Sequence, residues 1–324
     1  YCMAPIVATQ PSWFYVMVVV TVLLLTELKH TFTEFAQRMK NDEMITLAKF
    51  LAISGIILPM LPHKNLIPDI NLTPYSIWLA TVVVSGISYL SYLLKRYVFH
   101  ESGTLVSGII GGLYSSTATI SVLARKSRKA SEQEATDYVA AMLLAVSMMF
   151  LRFMILILIF SREIFLSIYP YLLTMAVVAA IVAWFIHSRQ KRSNDQPVEE
   201  EEDDSSNPLE FKVALIFAVL FVIFTFLTHY TLVYAGTGGL NLLSFVSGFS
   251  DITPFILNLL QNTGSVAALI ITACSMQAII SNIMVNMFYA LFFAGKGSKL
   301  RPWILGGFGV VIACNLVLLL FFYI

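Results

Sequence analysis

The chain has 324 residues, of which 58% are hydrophobic and 12% charged, and its mean hydropathy is +0.81. Soluble domains carry about 25% charged residues, so this composition excludes a soluble globular protein and indicates a polytopic membrane protein. The net charge of +1 excludes a field that attracts nucleic acid, and we expect the lipid bilayer and no nucleic acid as partner.

Apolar runs long enough to cross ~30 Å of hydrocarbon, which takes ~20 residues, occur throughout the chain. The sequence predicts eight spans: 6–28, 44–61, 75–94, 135–160, 167–187, 211–234, 266–293 and 302–323.

Two further segments, 104–123 and 241–260, are apolar but interrupted by glycine and polar residues. A shift of 136 positions places Gly112 on Gly248 and Ser115 on Asp251. Interrupted segments at matching places in two halves are typical of transporters, where they form the binding site.

The distribution of Lys and Arg distinguishes two topologies, because short cytoplasmic loops are enriched in them. If both interrupted segments cross the membrane, the two sides carry 9 and 10 of these residues. If both turn back, the split becomes 17 to 2, with Arg152 left inside a span. The charges therefore favour two re-entrant hairpins.

The resulting prediction is an all-α membrane protein with about eight spans and two re-entrant helical hairpins in an inverted-topology repeat. Residues 1–74 form two spans and an amphipathic loop, 75–188 and 211–324 are the repeat halves, and 189–210 is a charged linker. The linker is interpreted as a solvated tether, with a cation sensor or docking strip as the alternative. We expect a bacterial-type inner membrane, with both termini outside and a homo-oligomer possible.

The polar residues at the two breaks are the candidate site. Glycines allow the turns: Gly111, Gly112 and Gly248. Hydroxyl groups follow the first turn at Ser115, Ser116, Thr117 and Thr119. They are interpreted equally as helix caps or as the lining of an ion path. At the second turn stand Ser250, Asp251 and Thr253.

Two charges are expected deep in the bilayer, where ionisable residues are functional by default. Asp251 is predicted to be a cation ligand or proton carrier, with helix capping as the alternative. Arg152 is predicted to pair either with Asp251 or with carbonyl groups of a hairpin. On span 266–293, Gln277, Ser281 and Asn282 are interpreted equally as helix–helix hydrogen bonders or as a wall facing the substrate.

The sequence contains no Walker loop, HExxH or CxxC motif, so an ATP-driven pump or a protease is not expected and the protein is predicted not to be an enzyme. No cofactor is expected except a bound metal ion, for which Asp251 is the candidate ligand. No cleavable signal peptide is expected before the first span.

Three stretches carry a family resemblance: VVSGISYLSYLLKRY (83–97), GGLYSSTATISVLARKSR (111–128) and SGFSDITPF (247–255). They resemble the uncharacterised domain found C-terminal to MgtC/SapB-type membrane domains. The resemblance implies roles for the hydroxyls of the first break, Arg152 and Asp251, and a link to magnesium homeostasis. The chain departs from the family pattern at Thr253, where a second acid would be expected, and at Gln277 and Ser281, where an Asn and a Lys would be expected.

These observations predict a secondary transporter or channel-like permease for a small ion, and a divalent metal cation ranks first among the expected substrates. The alternatives are a regulatory membrane protein that binds a partner and transports nothing, and an anion carrier that uses Arg152 and the half-helix N-termini. A sealed midplane would favour the regulatory alternative.

Overall fold

A computed structural model describes residues 19–20, 22–23, 26–27, 29, 41–67, 70–98, 103–128, 135–189, 211–261, 266–295, 298 and 300–323. The chain forms two compact units, Tyr1–Ile57 and Leu58–Ile324. Most of the predicted first span and its following loop, and the linker from residue 190, lie outside the described residues.

In the first unit, helix α1 (Asn41–Ala52) is followed by a π-helical turn, Ile53–Ile57. The second unit contains the helices that carry the candidate site. They are α2 (Pro74–Leu93, continued by a π-helical turn, Leu94–Val98), α3 (Thr104–Lys126), α4 (Ala135–Phe160), α5 (Arg162–Ser188), α6 (Phe211–Ser247), α7 (Ile252–Gln261), α8 (Ala268–Ala294) and α9 (Arg301–Tyr323).

Seven helices in the described part of the chain are long and apolar enough to cross a membrane. Six of them, α2, α4, α5, α6, α8 and α9, correspond to predicted spans, and the seventh is α3, the first interrupted segment. The predicted span 44–61 is not among them. The protein is therefore an all-α polytopic membrane protein.

Local sequence signals explain several helix boundaries. Thr73 and Ser76 form a capping box at the start of α2, and Pro74 occupies the first turn, where its missing N–H costs nothing. Helix α5 begins at Arg162, five residues before the predicted start of its span, because the Ser161 hydroxyl accepts a hydrogen bond from the backbone N–H of Ile164 (3.3 Å). Pro170 therefore lies inside α5 and not at its beginning.

Helix α6 includes both a predicted span and the beginning of the second interrupted segment. It continues from Phe211 to Ser247, with one non-helical residue at Gly236 (φ 59°, ψ −152°). The left-handed φ at this position favours glycine. The bend divides α6 into a long first part and a short last segment, 237–247.

Helices α4, α7 and α8 form the centre of the second unit. Residues 252–260 of α7 are all buried, and Phe150 of α4 and Phe255 of α7 are fully enclosed. Large apolar side chains on α5, α6 and α9 are exposed instead, including Trp184 and Tyr234. Apolar surface on the outer helices and a packed centre are the arrangement expected of a bundle that contacts lipid.

Candidate functional site

The first break lies within α3, at Ser115. This residue is extended (φ −158°, ψ 106°), with helix on both sides. A Cβ added to Gly111 would lie 2.5 Å from Oγ1 of Thr119. Residues eight apart in a straight helix are separated by ~12 Å along the axis, so α3 bends sharply at Ser115 and brings its two arms, 104–114 and 116–126, together at Gly111 and Thr119.

The second break lies between α6 and α7, at residues 248–251. The Asp251 carboxylate accepts a hydrogen bond from the backbone N–H of Thr253 (2.9 Å) and so caps α7. The Ser115 hydroxyl accepts one from the N–H of Ala118 (3.3 Å) at the start of the second arm of α3. The two caps occupy the positions that the shift of 136 superposes. The capping alternative for Asp251 is therefore present, and it occupies one carboxylate oxygen.

Glycines bring each break close to a central helix. A Cβ on Gly108 would meet the backbone of Ala141, and one on Gly112 would lie 2.5 Å from Cα of Ala145. Since both residue numbers increase together, the first arm of α3 runs parallel to α4. Substitution by any larger residue would push the two helices apart.

The last segment of α6 packs on α8 in the same way. The Cys274 thiol contacts the Asn241 side-chain oxygen (3.5 Å), and a Cβ on Gly248 would meet Ser281. Helix α8 also holds the turn itself, because the Asn282 amide donates to the carbonyl of Gly248 (3.2 Å). The 237–247 segment therefore runs parallel to α8, as the first arm of α3 does to α4.

The two breaks meet at one cavity of about 430 Å³. Its walls come from α2, α3, α4, α6, α7 and α8. The residues that line it are Val84, Ser85, Ser88, Gly112, Tyr114, Ser115, Ser116, Thr117, Met149, Arg152, Phe153, Ile216, Phe217, Leu220, Phe249, Ser250, Asp251, Ile252, Thr253, Asn282, Val285 and Tyr289. Residues distant in sequence are thus brought together as the two interrupted segments predicted.

Most of the predicted site residues line this cavity, and three do not. Thr119 packs against Gly111 in the other arm of α3. The Ser281 hydroxyl donates to the carbonyl of Phe245 (2.7 Å), which is the helix–helix role, and Gln277 lies outside the lining. The hydroxyls of Ser85 and Ser88 were missed, although polar residues in the apolar run of α2 were a visible signal.

Arg152 reaches the first break from α4. Its Nη1 donates to the carbonyl of Tyr114 (2.9 Å), directly before the extended Ser115. Its Nε is buried and has no hydrogen-bond partner within the described residues. Asp251 is exposed to the cavity, and no ion pair within 4.0 Å joins it to Arg152 in the described structure. Of the two predicted partners of Arg152, the hairpin carbonyl accepts a hydrogen bond, while Asp251 attracts the guanidinium electrostatically from beyond 4.0 Å.

One carboxylate, that of Asp251, is available to a metal ion at this site. Across the described ranges, no three His, Cys, Asp or Glu residues are grouped closely enough to hold a metal ion. Metal binding at Asp251 would therefore depend on hydroxyl and carbonyl oxygens, ligands that hard cations accept.

Comparison with known proteins identifies relatives but no activity. An uncharacterised protein of Aquifex aeolicus (strain VF5) is 25% identical over 224 residues, which cover 68% of this chain and 96% of that protein. No solved structure matches. Neither the matched family nor the matched Aquifex protein carries an MgtC or SapB name. The family model described as a domain of unknown function (DUF4010) matches residues 82–294, about two thirds of the chain, and the chain therefore belongs to the DUF4010 family.

Proposed function

We propose that the protein is a secondary transporter or channel-like permease that moves a small ion or another small charged solute through the cavity between two re-entrant hairpins. One observation carries the proposal: two helix breaks from different parts of the chain meet at one cavity that contains Arg152 and Asp251. Broken helices at membrane depth are tolerated where they line a cavity, and in transporters they form the substrate site.

The direction of the arms supports hairpins over crossings. If α3 crossed the membrane once, it would run antiparallel to the next helix, α4. Its first arm runs parallel to α4, and the 237–247 segment runs parallel to α8. Each is the packing expected when a segment enters the bilayer and leaves by the same face.

Contacts at the two ends of α2 support hairpins that open to opposite faces. Helix α2 with its π-helical turn is about 36 Å long, enough to cross the hydrocarbon. The first hairpin begins a few residues beyond its end. The second ends beside its beginning, where the Gln261 amide donates to the carbonyl of Ser76 (3.4 Å) and the Asn71 amide donates to the carbonyl of Gln261 (2.9 Å).

A contact of Arg128 supports the distribution of positive charge. This residue follows α3, and its guanidinium donates to the carbonyls of Phe293 and Phe292 at the end of α8. The ends of α3 and α8 therefore lie on one side. If both interrupted segments crossed the membrane, these two ends would lie on opposite sides. Two hairpins keep them on one side and give the 17 to 2 distribution of Lys and Arg.

The packing register supports the internal repeat. Gly112 against Ala145 and Gly248 against Ser281 are related by the same shift of 136 positions that aligns the breaks. The cavity lining contains further pairs at this shift, including Met149 with Val285 and Phe153 with Tyr289. Together with the opposite opening of the hairpins, this supports an inverted-topology repeat.

The alternatives differ in what the cavity must contain. A divalent cation, the first substrate predicted from the sequence, would use Asp251 as its carboxylate ligand. An anion would use Arg152 and the N-terminal ends of the second arm of α3 and of α7. The regulatory alternative calls for a sealed midplane, and a cavity of about 430 Å³ favours transport instead.

Proteoliposomes that contain the purified full chain test the proposal. Uptake is measured for divalent cations, monovalent ions, phosphate and small amino acids, against liposomes without protein. We expect at least one solute to enter, Asp251→Asn to reduce its rate, and the matched charge removal Glu163→Gln, at the exposed start of α5, to leave it unchanged. Absence of uptake across the panel, or equal rates for both variants, would count against transport through this cavity.

A further inference from the structure

Two charged side chains line the cavity, and they have opposite signs. Arg152 is held by the carbonyl of Tyr114 and Asp251 by the N–H of Thr253, so each is fixed by backbone and not by the other. They also come from different halves of the repeat. The cavity therefore has a positive pole and a negative pole, whereas a closed ion pair would leave neither available to a ligand.

Both charges retain binding capacity. A guanidinium has five N–H donors and a carboxylate about four acceptor positions. One protein hydrogen bond is found for Arg152 in the described structure, and its Nε–H has no partner. The exposed Asp251 has one oxygen engaged in capping. Asp251 attracts Arg152 electrostatically without a direct ion pair. Charges at membrane depth are costly, so a ligand that carries both signs and contacts both residues would stabilise both.

The positive pole is reinforced by backbone. Arg152 binds the carbonyl directly before Ser115, where the second arm of α3 begins. The N-terminus of this arm carries partial positive charge, and Ser116 and Thr117 of its first turn line the cavity. A carboxylate beside Arg152 would thus meet a guanidinium, a helix N-terminus and hydroxyl groups together.

The size of the cavity also distinguishes solutes. A volume of about 430 Å³ lies within the ~300–1,000 Å³ range of small-molecule pockets. A single inorganic ion would fill little of it. Apolar side chains, including Met149, Phe153 and Phe217, complete the wall and would contact an organic side chain.

From these observations we propose that the site binds a small zwitterion of amino-acid size, with its carboxylate on Arg152 and its ammonium group on Asp251. This deepens the proposed function, since it names the class of solute transported. It requires no metal ion and no covalent step. It also explains why the two charges are held apart at the two breaks.

Binding to the unmodified full chain in lipid nanodiscs tests the proposal without relying on a variant. Calorimetry would compare leucine with 4-methylpentanoate, which lacks the ammonium group, and isoamylamine, which lacks the carboxylate, with alanine, Mg²⁺ and chloride as further probes. We expect an amino acid to bind, and each singly charged analogue of leucine to bind about 10- to 100-fold more weakly, because a charge-assisted hydrogen bond is lost.

Variants then assign the two poles. With Asp251→Asn, leucine should bind no better than 4-methylpentanoate, and with Arg152→Gln no better than isoamylamine. The matched controls Glu163→Gln and Arg162→Gln, at the exposed start of α5, should keep the discrimination of the unmodified protein. If a variant fails to fold, the analogue series on the unmodified chain still decides.

The outcomes separate this inference from transport itself. Uptake and binding of Mg²⁺ or chloride without binding of any amino acid would overturn the proposal of a zwitterion site and leave that of a small-ion transporter. Equal affinity for leucine and 4-methylpentanoate would overturn it in favour of an anion site. Absence of binding and uptake for every probe would overturn both proposals.

Discussion

Alanine at Gly112 tests the close packing of the first break on α4. The added Cβ would lie 2.5 Å from Cα and 2.7 Å from the carbonyl oxygen of Ala145, whereas ordinary contacts begin at 3.4 Å. Because both atoms belong to backbone, no side chain can rotate away, and the helices must separate by roughly 1 Å. Overpacking of this kind costs about 1–3 kcal/mol.

The matched control is Gly306→Ala in α9, where an added Cβ has nothing within 4 Å. Alanine inside a helix is favoured over glycine by about 1 kcal/mol, so this variant should be at least as stable as the unmodified protein. The melting temperatures of both variants are measured by thermal unfolding of the full chain in detergent, monitored with a thiol-reactive dye or by size-exclusion chromatography. Equal melting temperatures for Gly112→Ala and Gly306→Ala would refute the packing of this arm on α4.

Three further predictions follow from single contacts. Asp251→Asn should retain the melting temperature, since Asn caps helices as well as Asp does, whereas Asp251→Ala should lose about 1 kcal/mol of unfolding free energy; equal melting temperatures for the two variants would contradict the cap. Asn258→Leu removes the buried hydrogen bond to Thr225 (2.6 Å) and should cost about 1–3 kcal/mol, measured by the same unfolding assay; an unchanged melting temperature would argue against this contact. A cysteine pair at Ser76 and Gln261 should cross-link under oxidation while a pair at Arg96 and Gln261 should not, and the reverse result would place the second hairpin at the other end of α2.

The breaks could be predicted from sequence because their residues have strong local preferences. Glycine followed by hydroxyl residues predicted a turn at Gly111 and Gly112, and Ser250 with Asp251 predicted the start of α7. The shift of 136 added a second signal, since it aligned Ser115 with Asp251. These are local properties of the chain. The structure has the second break at 248–251, where it was expected, and the first at Ser115, three residues after the predicted turn at Gly111 and Gly112, which are helical.

The neighbours of individual side chains could not be predicted in the same way. Asn282 and Asn286 stand four residues apart and so share a face of α8, where the amide of Asn286 donates to the side-chain oxygen of Asn282 (3.2 Å). Yet Ser281, one residue before Asn282, faces Phe245 and not the cavity. Periodicity gives the face of a helix, but which helix packs on that face depends on contacts between distant parts of the chain.

Helix ends were also set by contacts that periodicity does not include. The hydropathy of the fourth and fifth spans predicted a loop from 161 to 166, but the Ser161 cap allows α5 to begin at once. The choice between Asp251 and a carbonyl as the partner of Arg152 was open for the same reason: both were chemically suitable, and in the structure the Tyr114 carbonyl accepts the hydrogen bond while Asp251 acts from a longer distance.

Labelling from one side of the membrane tests the central claim most directly. Single cysteines at Lys95, Arg128 and Gln261, in a background with Cys2, Cys274 and Cys314 replaced by Ala, would be reacted with an impermeant maleimide in oriented vesicles. The two hairpins predict that positions 95 and 128 react from the same side and position 261 from the opposite side. Reaction of positions 95 and 128 from different sides would contradict the re-entrant architecture and the cavity that depends on it.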